Sequence, residues 1–77
     1  MKIPVVSGQK IVKALIKAGF EIVGRKGSHV RLKKRTIEKT RIVVVPLHPI
    51  VAKNTLFSIM RQSGMSKQEF IELLKKA

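Results

Sequence analysis

Phe20-Glu21-Ile22-Val23-Gly24-Arg25-Lys26-Gly27-Ser28-His29-Val30-Arg31-Leu32-Lys33 is the stretch that decides the fold. Its apolar positions recur every second residue. Phe20 and Ile22 alternate with Glu21 and Val23; beyond Gly27-Ser28, Val30 and Leu32 alternate with His29, Arg31 and Lys33. A period of two belongs to a pleated strand, whose successive side chains face opposite sides. Gly27-Ser28 is a turn signal between the two runs. The stretch therefore predicts a pair of antiparallel strands, with Val30 and Leu32 turned to a core and His29, Arg31 and Lys33 on the open face.

Downstream, residues 34–40 are polar but for Ile37 and hold no Gly, Asn or Pro to fix a tight turn, which predicts a loose, solvated hairpin loop. Arg41 to Val45 follows as a third strand. Its β-branched Ile42, Val43, Val44 and Val45 serve both faces, which predicts a central or partner-covered position, and Pro46 ends it. Residues 47–53 form a connection containing His48 and Pro49. Asn54 is placed to cap a helix with Leu56, Ile59 and Met60 on one side and Gly64 at its end. Ser66 and Glu69 have the spacing of a capping box, and Met65 and Phe70 that of a hydrophobic staple, opening a last helix with Ile71, Leu73 and Leu74 on its apolar face. Upstream, Ser7 caps an amphipathic helix over residues 7–18 built on Ile11, Val12, Leu15 and Ile16, with Gly19 as its left-handed terminator.

The order helix, strand, strand, strand, helix, helix predicts an α+β fold: a three-stranded antiparallel sheet with the helices, one or two of them after the sheet, packed on one face. It resembles the double-stranded-RNA-binding-domain fold. A length of 77 residues suits one domain spanning 1–77, with a small core and a thin stability margin to which a partner can add.

Charge narrows the partners. Seventeen Lys and Arg against four Asp and Glu give +13 and a pI near 11.2, a surface that seeks polyanions. Nucleic acid leads, with a membrane surface and an acidic protein as the rivals. The longest apolar run falls far short of the ~20 residues that span a bilayer, so no membrane insertion is expected. The start of the chain has no apolar signal segment, and the absence of cysteine suits a cytoplasmic protein. With three Phe and no Tyr or Trp, binding through stacked bases is disfavoured.

Four scattered carboxylates, Glu21, Glu38, Glu69 and Glu72, make a paired-carboxylate mechanism or a magnesium cage a poor reading, and neither a metal site nor a cofactor is expected. Metal-free RNA cleavage needs a base for the 2′-hydroxyl, cations for the phosphate and a proton source for the leaving oxygen. His29, flanked by Lys26, Arg31 and Lys33, has the residue types for it. By pattern alone a lone histidine at a strand start is more often an ordinary surface residue, and the same holds for His48 beside Pro49. The cation density between Arg25 and Arg41, opposed only by Glu38, favours a phosphate-binding surface over a merely solvated hairpin.

Three blocks in order carry a family resemblance: Gly27-Ser28-His29 opening a strand, Val45-Pro46-Leu47-His48 closing another, and Thr55-Leu56-Phe57-Ser58-Ile59-Met60-Arg61-Gln62-Ser63-Gly64-Met65-Ser66. Together, over roughly Ser7 to Leu74, they resemble the HicA (YcfA-like) toxins of toxin–antitoxin systems. Asn54 stands where that family commonly has Gly, and the 34–40 loop is longer than its usual hairpin. The resemblance implies a metal-independent endoribonuclease that cleaves mRNA and is restrained by an acidic HicB-type antitoxin. It implies His29 as the catalytic residue. The residues around it add Gly27 and Ser28 as the turn presenting it, the basic run adds Lys26, Arg31, Lys33, Lys34 and Arg35 as RNA phosphate contacts, and His48 is a possible accessory group. The alternative is a non-catalytic RNA-binding domain of the same fold, and a ribosome-associated scaffold is a more distant third.

The charge alone makes one prediction. Binding to RNA, followed by fluorescence anisotropy, should weaken steeply as salt rises, because each phosphate contact releases counterions. An affinity that stays flat from low to high salt would exclude phosphate contacts as its source.

Overall fold

A computed structural model describes residues 5–76. Its elements run α1 (Gly8–Lys17), β1 (Glu21–Lys26), β2 (His29–Arg35), β3 (Thr40–Pro46), α2 (Lys53–Ser63) and α3 (Lys67–Lys76). The three strands form one antiparallel sheet in the order β1-β2-β3. This is the α+β, double-stranded-RNA-binding-like arrangement that the sequence predicts.

Alternation in β2 is as the sequence reads: Val30 and Leu32 are buried while His29 and Arg31 are exposed. Lys26 pairs with His29, so the β1–β2 turn has only two residues between the strands. Gly27 adopts φ 60° and Ser28 a negative φ, the type II′ pattern, whose twist matches that of the strands and which calls for Gly at the first position.

Four expectations need correction. The third strand is not central: β2 is, and β3 is an edge. Val43 and Val45 fill the core, whereas Ile42 and Val44 lie on the open face, 46% and 36% exposed. What covers the edge is α2, where the Gln62 side-chain carbonyl accepts the outward Val44 N–H at 3.0 Å. The 34–40 loop is also not loose. β2 and β3 run on to pair Arg35 with Thr40, and Thr36 closes the remaining turn by donating its hydroxyl to the Lys39 carbonyl (2.6 Å) and accepting the Lys39 N–H (3.1 Å). A threonine side chain does here what glycine or asparagine does in commoner turns.

The other two concern β1 and α2. A register shift between Ile22 and Gly24 inserts Val23 as an extra residue, so the alternation beginning at Phe20 breaks and Ile22 and Val23 are both about half exposed. Asn54 does not cap α2: the N-cap is Ala52, with no side-chain bond, and Asn54 accepts the N–H of Thr55 from inside the first turn. The capping box of α3 is present as read. Ser66 Oγ accepts the Glu69 N–H at 3.2 Å and Glu69 accepts the Ser66 N–H at 3.1 Å.

The core joins the inner face of the sheet to α1 and to the apolar stripes of α2 and α3, with Ile11, Leu15, Leu32, Val43, Val45, Leu56, Ile59, Phe70 and Leu74 in one cluster. α1 crosses the strands and α3 packs on α1. At its N-terminus α1 comes closer to the sheet than a side chain would permit. The N–H of Gly8 donates to the His48 carbonyl at 2.9 Å, and a Cβ on Gly8 would run into the Pro46 carbonyl and the Leu47 Cα.

Gly8→Ala should therefore destabilise the fold by about 1–3 kcal/mol, since backbone atoms cannot step aside as a flexible side chain can. Gly24→Ala, whose added carbon meets nothing within 4 Å, should stay within about 0.5 kcal/mol. Equal urea midpoints for the two variants would refute the close approach. A second expectation concerns acid. The Ser66 N–H and then the Ser66 hydroxyl hold the Glu69 carboxyl below its ordinary 4.5. A depressed carboxylate stabilises the fold above its unfolded value and loses that contribution as pH falls through the folded one. Glu69→Gln should make the loss of stability below pH 4.5 shallower; an unchanged acid limb in unfolding curves would show that the box carries no proton linkage.

Candidate functional site

His29 is the first residue of β2, lifted to the end of the sheet by the Gly27-Ser28 turn. Arg25 braces that turn by donating its Nε to the Gly27 carbonyl at 3.3 Å. Across the sheet His29 pairs with Pro46, and the ladder is extended one step further by the Leu47 N–H, which donates to the Ser28 carbonyl at 2.6 Å. The chain beyond Pro46 is thus tied to the Ser28-His29 turn on one side and, through Gly8, to α1 on the other. Val51 adds a third tie, donating its N–H to the Val6 carbonyl at 2.9 Å.

That segment carries His48. Its ring stands edge-on to the His29 ring, with centroids 6.4 Å apart and planes at 73°. Both side chains are exposed. They open onto a groove of about 390 Å³ between the end of β3 and α2, floored by Val44, Pro46 and Ile59 and walled by Thr55, Ser58 and Gln62, with Ile50 and Ala52 also lining it. Gln62 is held in place from two directions, accepting the Val44 N–H and donating its Nε2 to Ser58 Oγ at 3.3 Å. Apart from the two imidazoles, the lining residues are uncharged.

The cations divide between the two faces. Arg31, Lys33 and Arg35 follow His29 at intervals of two on β2 and share its open face, and Lys26 stands directly beside His29 on β1. Lys34 points the other way. Its ammonium donates to the Ala18 carbonyl at 2.6 Å, at the C-terminal end of α1, and lies 5.8 Å from the centre of the Phe20 ring. A cation there complements the negative end of the helix dipole, so Lys34 is committed to the fold and stands apart from the other four. Among the described residues, no three His, Asp or Glu side chains stand close enough together to hold a metal ion.

Sequence reasoning missed the wall of the groove. Thr55, Ser58 and Gln62 recur at intervals of three and four, a polar stripe on one side of α2, and that spacing was the available signal. What it could not give is the partner of that stripe, because α2 lies beside β3 only through long-range packing.

Comparison with protein families matches residues 8–65 to the HicA toxin of bacterial toxin–antitoxin systems. No curated protein matches the chain. The matched span runs from the glycine on which α1 rests, through the His29 turn and the His48 segment, to the end of α2, and so holds both histidines and the whole groove. The chain belongs to the HicA toxin family.

Proposed function

We propose that this toxin is a metal-independent endoribonuclease that binds and cleaves mRNA in the cytoplasm and so inhibits translation. The observation that carries the reading is the placement of His29: exposed at the lip of a groove, beside Lys26, on the face that also bears Arg31, Lys33 and Arg35. The four cations make a track along which a phosphodiester backbone can lie. His29 stands at the end of that track as general base or acid toward the 2′-hydroxyl and the leaving oxygen. The Gly27-Ser28 backbone allows the RNA strand to approach closely. Lys34 is left out of the track, since its ammonium is already bonded within the fold.

The restraining partner in this reading is an acidic HicB-type antitoxin. It covers the face bearing His29, where Ile42 and Val44 offer apolar contact between the cations and the groove. Such a partner neutralises the toxin by occupying the RNA track and burying the histidine. No helix among the described residues is long and apolar enough to cross a membrane, and the proposal does not involve one.

The decisive experiment incubates purified protein with an RNA and with DNA of the same sequence, in excess chelator. The RNA should be cut and the DNA, which has no 2′-hydroxyl, left intact. Because the His29 side chain is exposed, His29→Ala should cost no more than about 0.5 kcal/mol of stability. It should lower cleavage by about 10²–10⁴-fold with RNA binding nearly unchanged. A folded His29→Ala protein that cuts RNA as fast as the parent would overturn the assignment of His29, and a parent that binds RNA without cutting it would make the non-catalytic RNA-binding domain the better description.

A further inference from the structure

A single histidine leaves half of the chemistry unassigned. In 2′-hydroxyl attack one proton must leave the nucleophile and another must reach the departing oxygen, and the two oxygens lie roughly in line on opposite sides of the phosphorus. Each needs its own proton-transfer group within about 2.6–3.2 Å. The groove wall supplies none at neutral pH, since Thr55 and Ser58 are alcohols and Gln62 is an amide already engaged with Val44 and Ser58.

We infer that His48 is the second catalytic residue, and that His29 and His48 act as a base and acid pair on a phosphodiester seated between their rings. This rests on the reading of His29 as the histidine of an RNA-cleaving site. A centroid separation of 6.4 Å leaves no direct hydrogen bond between the imidazoles and room for a phosphate that each can touch. The spacing is built in by the backbone. His29 and Pro46 are cross-strand partners, so their side chains share a face, and the Leu47 N–H fixes the next step of the chain to the Ser28 carbonyl. The His48 carbonyl is then pinned to the Gly8 N–H, which leaves the ring free to face the groove. Three backbone connections thus hold two exposed imidazoles in register, with no contribution from the rings themselves.

The step balances without water, metal or oxidant. The neutral imidazole takes the 2′-hydroxyl proton as O2′ forms a bond to phosphorus. The P–O5′ bond breaks with its electron pair on O5′, and that oxygen takes a proton from the other ring, an imidazolium. The products are a 2′,3′-cyclic phosphate and a 5′-hydroxyl, and the pair is left with its protonation reversed, to be reset by solvent.

An RNA with sulfur in place of the bridging 5′-oxygen separates the two roles, because a thiolate leaves without being protonated. On ordinary RNA, His48→Ala should lose about 10²–10⁴-fold in rate, and the double variant His29→Ala/His48→Ala should be scarcely slower than the worse single one. On the sulfur-bridged RNA, one of the two single variants, the one lacking the acid, should recover near-parental cleavage while the other stays slow. RNA binding and the circular dichroism of each variant should match the parent. A His48→Ala protein that cuts ordinary RNA at the parental rate overturns the pair, and so does failure of the sulfur-bridged substrate to rescue either variant. Parental activity in His29→Ala would overturn the assignment of His29 on which the pair rests, and a parent protein that leaves ordinary RNA uncut would instead overturn the ribonuclease reading itself.

Discussion

The contact between the first residue of α1 and the end of β3 is the constraint on which the rest of the molecule turns. Gly8 has no side chain, and the space one would occupy is filled by the backbone at Pro46 and Leu47. This lets the first free N–H of the helix reach the His48 carbonyl and satisfies a donor that a helix N-terminus otherwise leaves to water. It also decides where the chain goes after the sheet. A third strand released at Pro46 could leave in many directions; held between Ser28 and Gly8, it passes along the mouth of the groove and enters α2 beside the edge of β3. The placement of the groove and of its two histidines is a by-product of how closely one helix sits on one strand end.

Much of this was legible in the sequence because it is local. The Gly27-Ser28 turn, the facing of Val30 and Leu32, the capping box at Ser66 and Glu69 and the left-handed stop at Gly64 each depend on residues within a few positions of one another. His29 could be placed on the open face from alternation alone. What alternation could not give was the fate of β3. Four consecutive β-branched residues look alike whether a strand or a helix lies beside them, and only the long-range position of α2 distinguishes the cases. The Thr36 turn was missed for the opposite reason, since its bonds are local but made by a residue with many commoner uses.

The site shows the same division. Period-two spacing put His29, Arg31 and Lys33 together and, followed strictly, also puts Lys34 on the opposite face. Density of charge alone had grouped Lys34 with the others, yet its ammonium closes the C-terminal end of α1. Composition thus counts toward the open face one cation that the geometry places elsewhere. The meeting of His48 with His29 had no local signal at all: it follows from strand register plus the tie to Gly8, and both are properties of the folded chain.

The Gln62 bond to Val44 bears on a different problem, that of a small β protein remaining single. An edge strand with free N–H groups invites another copy to add its own strand, and β3 is the apolar, β-branched edge where such growth would start. One outward donor is already occupied by a side chain from the same molecule, and α2 stands where a second strand would have to lie. The opposite edge, β1, carries the bulge at Val23, which interrupts the ladder a newcomer would need. A chain so guarded at both margins can stand by itself without its own sheet becoming the next surface it binds.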